Sequence, residues 1–343
     1  MKQSDLLSAG KLPTTLLTEL LQMLPIDDPQ LVLGPAVGED AAVIQLNHEG
    51  ETLLVAKSDP ITFATDEIGY YAVNVCANDL AVTGATPRFY LPTVLLPAGS
   101  TTTTMVADIF RQISDACRAL NITVAGGHSE ITHSVTQPVV AGTLLGTVTR
   151  SMLVSTAGTH PGDLILMAGT APVEGISIIA RERAAELHRS GWSTQEVAEA
   201  ANYLYAPGIS VLEPALLAAQ TGVVTAMHDP TEGGIATGLH ELATAASVGL
   251  EVDLDQIPIA PPALRMCQQF GLDPLGTIAS GSLLATVPAD YVNTILSVWN
   301  AQGWRATVIG RVTEQPAGLI GLRQGQRSAL PTFAADEITK LWA

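Results

Sequence analysis

The feature that most constrains the fold is the segment 71–85, which has helical spacing and is apolar on almost every side. A helix that is apolar all round is stable only inside a protein, so this segment predicts a layered domain packed around it. Its polar exceptions are Asn74 and Asn78, one turn apart on one face, and Asp79 beside them. A buried carboxylate needs hydrogen bonds, a cation or a raised pKa. Asp79 is therefore either a binding group or a cap on a neighbouring loop.

Chain length and apolar content bound the architecture. A chain of 343 residues predicts two domains, because single cores stop growing at roughly 250 residues. No apolar run approaches the ~20 residues that cross a bilayer, so we expect no membrane association. The first ten residues lack a charged region followed by a long apolar one, which predicts a cytoplasmic protein without a secretory signal. The three cysteines, Cys76, Cys117 and Cys267, are far apart and are expected to be buried thiols.

The charge balance limits the partners. The chain has 33 acidic and 16 basic residues, a formal net charge of −17. Nucleic acid requires clustered Lys and Arg, so it is not an expected partner. A nucleotide remains compatible with an acidic protein when divalent cations bridge carboxylate to phosphate. Carboxylates in unexpected places are therefore the candidate site residues.

The pattern of elements predicts an α+β protein in three parts: a helical segment at 1–33, an N-terminal domain at 34–152 and a C-terminal domain at 153–343. Leucines between Leu16 and Leu24 give the first part its amphipathic helix, closed by Pro25. Strands and helices alternate in both larger parts. The predicted strands are 41–46, 52–57, 89–96, 122–125, 139–149, 164–168, 223–227, 282–287 and 305–312, and the predicted helices are 66–84, 102–120, 172–188, 194–206, 213–219, 234–247 and 291–300.

Two further segments bring acids to the ends of predicted strands. A glycine-punctuated loop at 34–40 delivers Glu39 and Asp40 to the start of a strand, as a loop over a metal-bound phosphate requires, although a solvated turn has the same composition. It lacks the glycine-lysine-serine/threonine ending of a Walker A loop. Lys57 and Asp59 stand at the end of the strand 52–57, either at a ligand site or as a surface ion pair.

Two glycine-rich segments carry similar chemistry. Residues 126–130, Gly-Gly-His-Ser-Glu, follow a strand and offer groups that suit a metal or phosphate, or form an ordinary turn. Residues 228–234, His-Asp-Pro-Thr-Glu-Gly-Gly, precede a helix whose first N–H groups are available to an anion. In the alternative interpretation, Asp229 or Thr231 is only the N-cap of that helix.

These segments carry a resemblance. In the same order they look like the motifs of the aminoimidazole ribonucleotide (AIR) synthetase superfamily, which includes the hydrogenase-maturation protein HypE, selenophosphate synthetase and thiamine-monophosphate kinase. The resemblance spans roughly residues 34 to 312. It implies a two-domain AIR synthetase-like fold, an N-terminal domain that forms a barrel in a homodimer, and ATP bound with Mg2+. The motifs lie at residues 38–44, 78–87, 126–130 and 229–234.

The resemblance also implies residue roles. By motif, Asp79 falls where these families hold magnesium, Glu39 and Asp40 match paired acids of the kinase branch, and Asp59 matches an acid at the nucleotide site. The implied metal-site residues are Glu39, Asp40, Asp59, Asp79 and His128, although His128 replaces an acid of the hydrogenase and kinase branches and is similar to the selenophosphate branch. The implied nucleotide contacts are Gly38, Asp59, Asn78, Gly126, Gly127, Thr231, Gly233 and Gly234. The implied catalytic residues are Asp79, Lys57 and Asp229.

The shared chemistry is phosphorylation of an amide or carbonyl oxygen, which converts a poor leaving group into a good one. The motif wording is closest to the HypE branch, which acts on a carboxamide carried by a C-terminal cysteine. Here the sequence ends in Leu341, Trp342 and Ala343, so we expect no carboxamide or nitrile on this terminus. The substrate is then a small or protein-tethered molecule. The alternatives are a small-molecule kinase of the thiamine-monophosphate kinase type and a non-catalytic nucleotide-binding partner.

Overall fold

A computed structural model describes residues 11–47, 50–62, 66–315 and 318–342. Their packing divides the chain into two compact units. The N-terminal unit comprises residues 27–34 and 40–153, and the C-terminal unit comprises residues 11–26, 35–39 and 154–342. The domain limits expected from the sequence, 33/34 and 152/153, stay predictions. Ala343, on which the expectation about the terminus partly rests, lies outside the described residues.

The elements are given in chain order. The helices are α1 (Thr14–Leu21), α2 (Ile68–Val82), α3 (Thr103–Ala119), α4 (Val173–Glu182), α5 (Ala184–Arg189), α6 (Thr194–Ala201), α7 (Leu212–Gln220), α8 (Gly234–Ala246), α9 (Pro261–Phe270) and α10 (Val292–Ala301). The strands are β1 (Leu31–Leu33), β2 (Ala42–Ile44), β3 (Thr52–Ile61), β4 (Thr86–Pro97), β5 (Thr123–Val124), β6 (His128–Thr132), β7 (Val139–Thr149), β8 (Leu164–Ala168), β9 (Ala226–His228), β10 (Gly249–Asp253), β11 (Leu283–Val287), β12 (Ala306–Thr313), β13 (Leu319–Arg323) and β14 (Gln326–Ala329).

The N-terminal unit is a mixed sheet with helices packed on it. The strand order is β1-β2-β3-β7-β4-β5, with β6 also paired to β4. Among the described strands of this sheet, only β5 and β6 run parallel to their neighbour, β4. Buried and half-buried positions alternate along β7, as expected for a strand with one face on a core. Helix α2 packs against β3 and β7, and α3 packs against α2.

Helix α2 is as buried as its composition predicts. Every one of its residues except Tyr70 is buried. Gly69 makes this packing possible, since a Cβ there would lie 2.6 Å from the carbonyl oxygen of Ile109 on α3. The two helices therefore approach at their backbones, and the polar side chains of α2 are held inside the unit.

The C-terminal unit contains a second seven-stranded sheet, in the order β14-β13-β10-β12-β8-β11-β9. Its pairs are antiparallel except for β10 with β13. Strand β11, which lies between β8 and β9, is buried at all its positions. Helix α8 contributes Ile235, Leu239 and Leu242 to the core cluster of this unit. None of the described helices is long and apolar enough to cross a membrane.

The structure differs from the predicted elements in places. The helix expected at 172–188 is two helices, because Arg183 leaves helical geometry at φ −120° and ψ 23°. The sequence pattern did not identify β1, β6, β10, α9, β13 and β14. Strand β1 has only three residues, and β14 is exposed throughout, so neither has a clear apolar pattern. His128, predicted in a segment that follows a strand and forms a ligand site or an ordinary turn, is the first residue of β6.

Candidate active site

A lysine between two aspartates forms the candidate site of the N-terminal unit. Leu53 and Val55 of β3 are fully buried, and side chains of a strand alternate between faces. Lys57 and Asp59 therefore continue the core face of β3, towards α2. Lys57 Nζ lies 3.3 Å from Asp79 Oδ1 and 3.8 Å from Asp59 Oδ2. The structure thus brings together three residues predicted from two separate segments.

Asp79 is in a costly environment for a charge. It is 4% exposed, and burial raises its pKa well above the ordinary value, against the lowering effect of Lys57. The charges of Asp59 and Asp40 raise the pKa further. Its second oxygen, Oδ2, has no hydrogen-bond partner among the described residues. A buried carboxylate in this environment would be stabilised by a bound cation.

These residues fit a magnesium ion. Lys57 supplies one positive charge to a site where Asp79, Asp59 and Asp40 supply negative ones. Carboxylate oxygens are the protein ligands that Mg2+ prefers, usually one or two of them together with phosphate oxygens.

The two asparagines of α2 are both buried. Asn78, predicted to contact the nucleotide, is fully buried, and the Asn74 amide donates to the Tyr70 carbonyl at 2.9 Å within the helix.

Glu39 has a different set of partners from those expected of a metal ligand. Within the C-terminal unit its Oε1 accepts from Ser155 Oγ at 2.7 Å and from the Ala157 N–H at 3.1 Å. Its Oε2 accepts from the Thr156 N–H at 3.3 Å. Both carboxylate oxygens are therefore used to fasten the loop to the turn at 155–157. Glu39 is therefore a loop anchor in this structure, and its role at a metal ion stays a prediction.

Gly38 has a packing role in the same loop. Its φ is +87°, and a Cβ would lie 2.6 Å from the Glu241 carbonyl oxygen and 3.1 Å from Ala245 Cβ on α8. A side chain at this position would push the loop away from the helix. The glycine is thus explained by close approach to α8, and its contact with a nucleotide stays a prediction.

The start of α8 is already capped from within the unit. The N-cap is Gly233, with φ 79°, so the alternative interpretation, in which Asp229 or Thr231 is the N-cap, is wrong. The Gly233 N–H donates to Asp336 Oδ2 at 2.6 Å, and the Gly234 N–H donates to the Thr231 carbonyl at 3.0 Å. These two N–H groups are hydrogen-bonded within the chain, and the nucleotide contacts predicted for Thr231, Gly233 and Gly234 stay predictions. Asp229 itself is 2% exposed.

The segment 126–130 lies away from the aspartate cluster. His128 pairs with Thr93 of β4, so β7 and β4 separate it from β3, a distance of roughly 14 Å at ordinary strand spacing. Its Nε2 lies 3.3 Å from Glu130 Oε2, and both side chains are exposed. Gly126 is also exposed, and Gly127 packs against the Pro92 carbonyl oxygen. Within the N-terminal unit these residues are not part of the Asp79 cluster.

Sequence reasoning missed one polar chain in the C-terminal unit. His228 Nε2 lies 3.0 Å from Glu241 Oε2, and Glu241 Oε1 lies 2.9 Å from Lys11 Nζ. Burial opposes ionisation of Glu241, but the hydrogen bonds and charges of His228 and Lys11 lower its pKa to about 2. The partners come from the start of the chain, from β9 and from α8, so no local spacing could have indicated them.

Comparison with known proteins agrees with the fold. The model of the AIR synthase related protein N-terminal domain matches residues 38–148, and that of the C-terminal domain matches residues 160–321. The carbamoyl dehydratase HypE of Cupriavidus necator is 27% identical over 274 residues, which cover 77% of this chain and 73% of that protein.

Two solved structures are similar throughout. A HypE–HypF complex structure matches with a TM-score of 0.73 and 19% identity, covering 92% of this chain and 99% of the matched chain. A HypE structure in complex with ATP matches with a TM-score of 0.68 and 22% identity, covering 92% and 94%. With both domain models matched in order along most of its length, this chain belongs to the AIR synthase related family.

Proposed function

We propose that this chain is an ATP-dependent enzyme that phosphorylates, and so activates, the oxygen of an amide or related carbonyl group. The observation that carries the proposal is the cluster of the buried Asp79 with the partly exposed Lys57 and Asp59, whose charges suit a cation and a polyphosphate. Similarity to carbamoyl dehydratases supports a carboxamide as the substrate class. Similarity to a HypE structure that contains ATP supports the choice of nucleotide.

The chemistry requires positioning and charge neutralisation. Phosphorylating an amide oxygen makes it a good leaving group, so that elimination or attack can follow. Magnesium, when bound, would neutralise phosphate charge during the transfer. Asp79 and Asp59 supply carboxylate oxygens for it, and Lys57, whose side chain is 23% exposed, can donate to a phosphate oxygen. The side chain of Asp79 stays fixed because α2 is packed on both sides.

Protein partners are part of the proposal. One similar structure is a complex between HypE and HypF, which supports a substrate group delivered on another protein. We also propose a homodimer through the N-terminal unit. Along β3, β7 and β4 the face opposite α2 carries half-buried apolar residues, including Leu54, Leu145 and Leu91. At its edge Ile131 is 62% exposed and Val124 is 47% exposed, surfaces that a second copy could cover.

The test is whether ATP acts on this protein only together with magnesium. With both present at a hundredfold excess over the dissociation constant, the folded state gains about 2.7 kcal/mol, which thermal unfolding detects. Asp79→Asn keeps the shape of the side chain but removes its charge. It should retain the fold and lose magnesium-dependent ATP turnover. Asp108→Asn, at an exposed position on α3, is the matched control and should behave as the parent.

The possible results separate the alternatives. An equal thermal shift with and without magnesium, or full turnover by Asp79→Asn, contradicts the proposal. Binding without any turnover, with amides and partner proteins supplied, favours a regulatory nucleotide-binding role. Analysis of the products formed from amides, ribonucleotides and thiamine monophosphate then distinguishes carboxamide activation from small-molecule phosphorylation.

A further inference from the structure

A cavity of about 570 Å³ lies in the C-terminal unit and is not used by the proposed chemistry. It is bounded by the residues after β10, the turn after α9, the turn between β13 and β14 and the segment that begins at Glu337. All of its lining residues belong to this one compact unit. Small-molecule sites are typically clefts of roughly 300–1,000 Å³ with an apolar lining and a few fixed polar groups. The cavity has that size, so its lining decides what it can bind.

The apolar part of the lining consists of leucines and one isoleucine. Leu254, Leu272 and Leu275 are buried, and Ile259 is half-buried. Leu264 on α9, by contrast, is 61% exposed. An exposed leucine beside buried ones leaves apolar surface in contact with water. A ligand with an apolar body would cover this surface and gain affinity from its burial.

The polar part of the lining contains three carboxylates, each fastened by a backbone N–H group. Asp255 Oδ2 accepts from the Gln324 N–H at 2.6 Å, and Asp273 Oδ1 accepts from the Leu275 N–H at 2.9 Å. Glu337 Oε2 accepts from the Asp273 N–H at 2.9 Å. The second oxygen of each carboxylate accepts no hydrogen bond from the described residues. Three fixed carboxylates with an available oxygen are suited to a group that donates several N–H bonds.

The segment that carries Glu337 shows which charge this lining accepts. Glu337 is 8% exposed, and its Oε2 lies 2.6 Å from Lys340 Nζ. The same ammonium donates to the carbonyl oxygen of Gly271, the C-cap of α9, at 3.4 Å. The C-terminal end of a helix carries partial negative charge and attracts cations. The chain therefore places one of its own ammonium groups beside this lining.

The charge balance of the lining favours a further cation. Three acids line the cavity against one base, Arg323, whose side chain is exposed. The whole chain has a formal net charge of −17. An anionic ligand would be repelled by three carboxylates and attracted by one guanidinium, and the reverse holds for a cationic ligand.

Backbone hydrogen bonds also hold the segment that supplies Glu337. Asp336, which precedes Glu337, accepts hydrogen bonds from three backbone N–H groups, those of Gly233, Ile278 and Ile338. Asp336 is 5% exposed. A lining that is fixed in advance binds a ligand with a smaller loss of conformational entropy.

We propose that this cavity is a binding site for a small amphiphilic cation, whose ammonium or guanidinium group contacts the carboxylates of Asp255, Asp273 and Glu337. An alkyl or aromatic body of the same ligand covers Leu264 and the buried leucines. The charged group uses the available carboxylate oxygens, and the body removes leucine surface from water. Because every lining residue lies in the C-terminal unit, the site is independent of the proposed ATP chemistry.

The experiment compares molecules that share an apolar chain and differ in charge. The probes are n-hexylamine, hexanol and hexanoate, added to protein with 13C-labelled leucine methyl groups, and Leu264→Met assigns the Leu264 signal. Hexylamine should shift this signal with a dissociation constant of about 1 mM, and should bind at least about 5-fold more tightly than hexanoate. Methylamine, which lacks the apolar chain, should leave the signal unchanged. An unshifted signal at about 20 mM hexylamine, or equal or tighter binding of hexanol or hexanoate, overturns the inference.

A second arm separates a free amine from a lysine side chain of another protein. Nα-acetyl-lysine N-methylamide carries the same ammonium on a peptide unit. It should bind more weakly than hexylamine, because its amide groups must lose water at the leucine surface. Equal or tighter binding of the lysine derivative overturns the assignment to a free small molecule.

Two variants test the charged residues. The double change Asp255→Asn and Asp273→Asn keeps an acceptor oxygen for each backbone N–H and removes two charges, so hexylamine should bind about 5- to 10-fold more weakly. Arg323→Gln removes the opposing charge and should tighten hexylamine binding about 2-fold. Asp290→Asn, at an exposed aspartate of the same unit, is the matched control and should bind like the parent. Unchanged affinity in the folded double variant, or weaker binding by Arg323→Gln, overturns the inference. If the double variant does not fold, Arg323→Gln still decides the sign of the preferred charge.

Discussion

Replacing Glu39 decides between its structural role and the metal role that sequence resemblance implied. In the structure its carboxylate accepts from Ser155 Oγ and from the N–H groups of Thr156 and Ala157. Hydrogen bonds to a charged group contribute about 1.5–3 kcal/mol each, and those that share one carboxylate add less than fully. We therefore expect Glu39→Ala to cost about 2–4 kcal/mol of stability, and Glu39→Gln, which keeps one acceptor oxygen, about half of that.

The assay is chemical and thermal unfolding with and without magnesium. At about 2–4 °C per kcal/mol for a unit of this size, Glu39→Ala should lower the unfolding midpoint by at least about 4 °C. The loss should be the same in the presence and absence of magnesium, because the broken bonds are within the protein. Glu182→Gln, at an exposed glutamate at the end of α4, is the control and should unfold like the parent. The reasoning is refuted if Glu39→Ala unfolds like the parent without magnesium and loses only the stabilisation that magnesium and ATP provide.

Three further predictions concern burial, packing and assembly. Burial raises the pKa of Glu174 to about 7, so the folded state binds a proton that the unfolded chain releases near its ordinary value of 4.5. The stability that this raised pKa contributes is present at low pH and is lost as the pH rises through 7. Between about pH 5 and pH 8 the free energy of unfolding of the parent should fall by about 2–3 kcal/mol relative to that of Glu174→Gln. Parallel pH profiles of unfolding for the two proteins would contradict this. Gly142→Ala should lower the free energy of unfolding by about 1–3 kcal/mol, because the added Cβ would lie 2.5 Å from the Tyr90 hydroxyl oxygen. Urea unfolding measures this change, and an unchanged free energy of unfolding would refute the close contact between Gly142 and Tyr90. Light scattering at micromolar concentration should give a dimer, and a monomer would count against the proposed interface.

Much of the fold followed from local sequence. The all-round apolar pattern of α2 identified a buried helix, because the periodicity of an α-helix fixes which side chains share a face. β8 was found at the predicted residues, since a short apolar run between turn residues has few other structures available. The resemblance of four short motifs predicted the two-domain AIR synthase fold, which the family models confirm.

Part of the candidate site also followed from sequence. Lys57, Asp59 and Asp79 were selected because charged groups at a strand end and on an apolar helix need partners, and in the structure they contact one another. His128 was selected for the same reason. In the structure His128 lies instead on β6, which pairs with β4 and not with β3. The order of strands in a sheet cannot be read from a local sequence pattern. The roles of all these residues in binding stay predictions.

What the sequence determined by itself is therefore the set of elements with strong periodicity, the buried acid of α2 and the family. The tertiary structure decided which polar groups meet. Glu39 is bound by residues 116 to 118 positions later, and the start of α8 is capped by Asp336, 103 positions beyond Gly233. Periodicity arises from backbone geometry over a few residues, whereas a buried hydrogen bond depends on how distant segments pack. A carboxylate in the sequence thus shows the need for a partner, and only the folded chain shows which partner meets it.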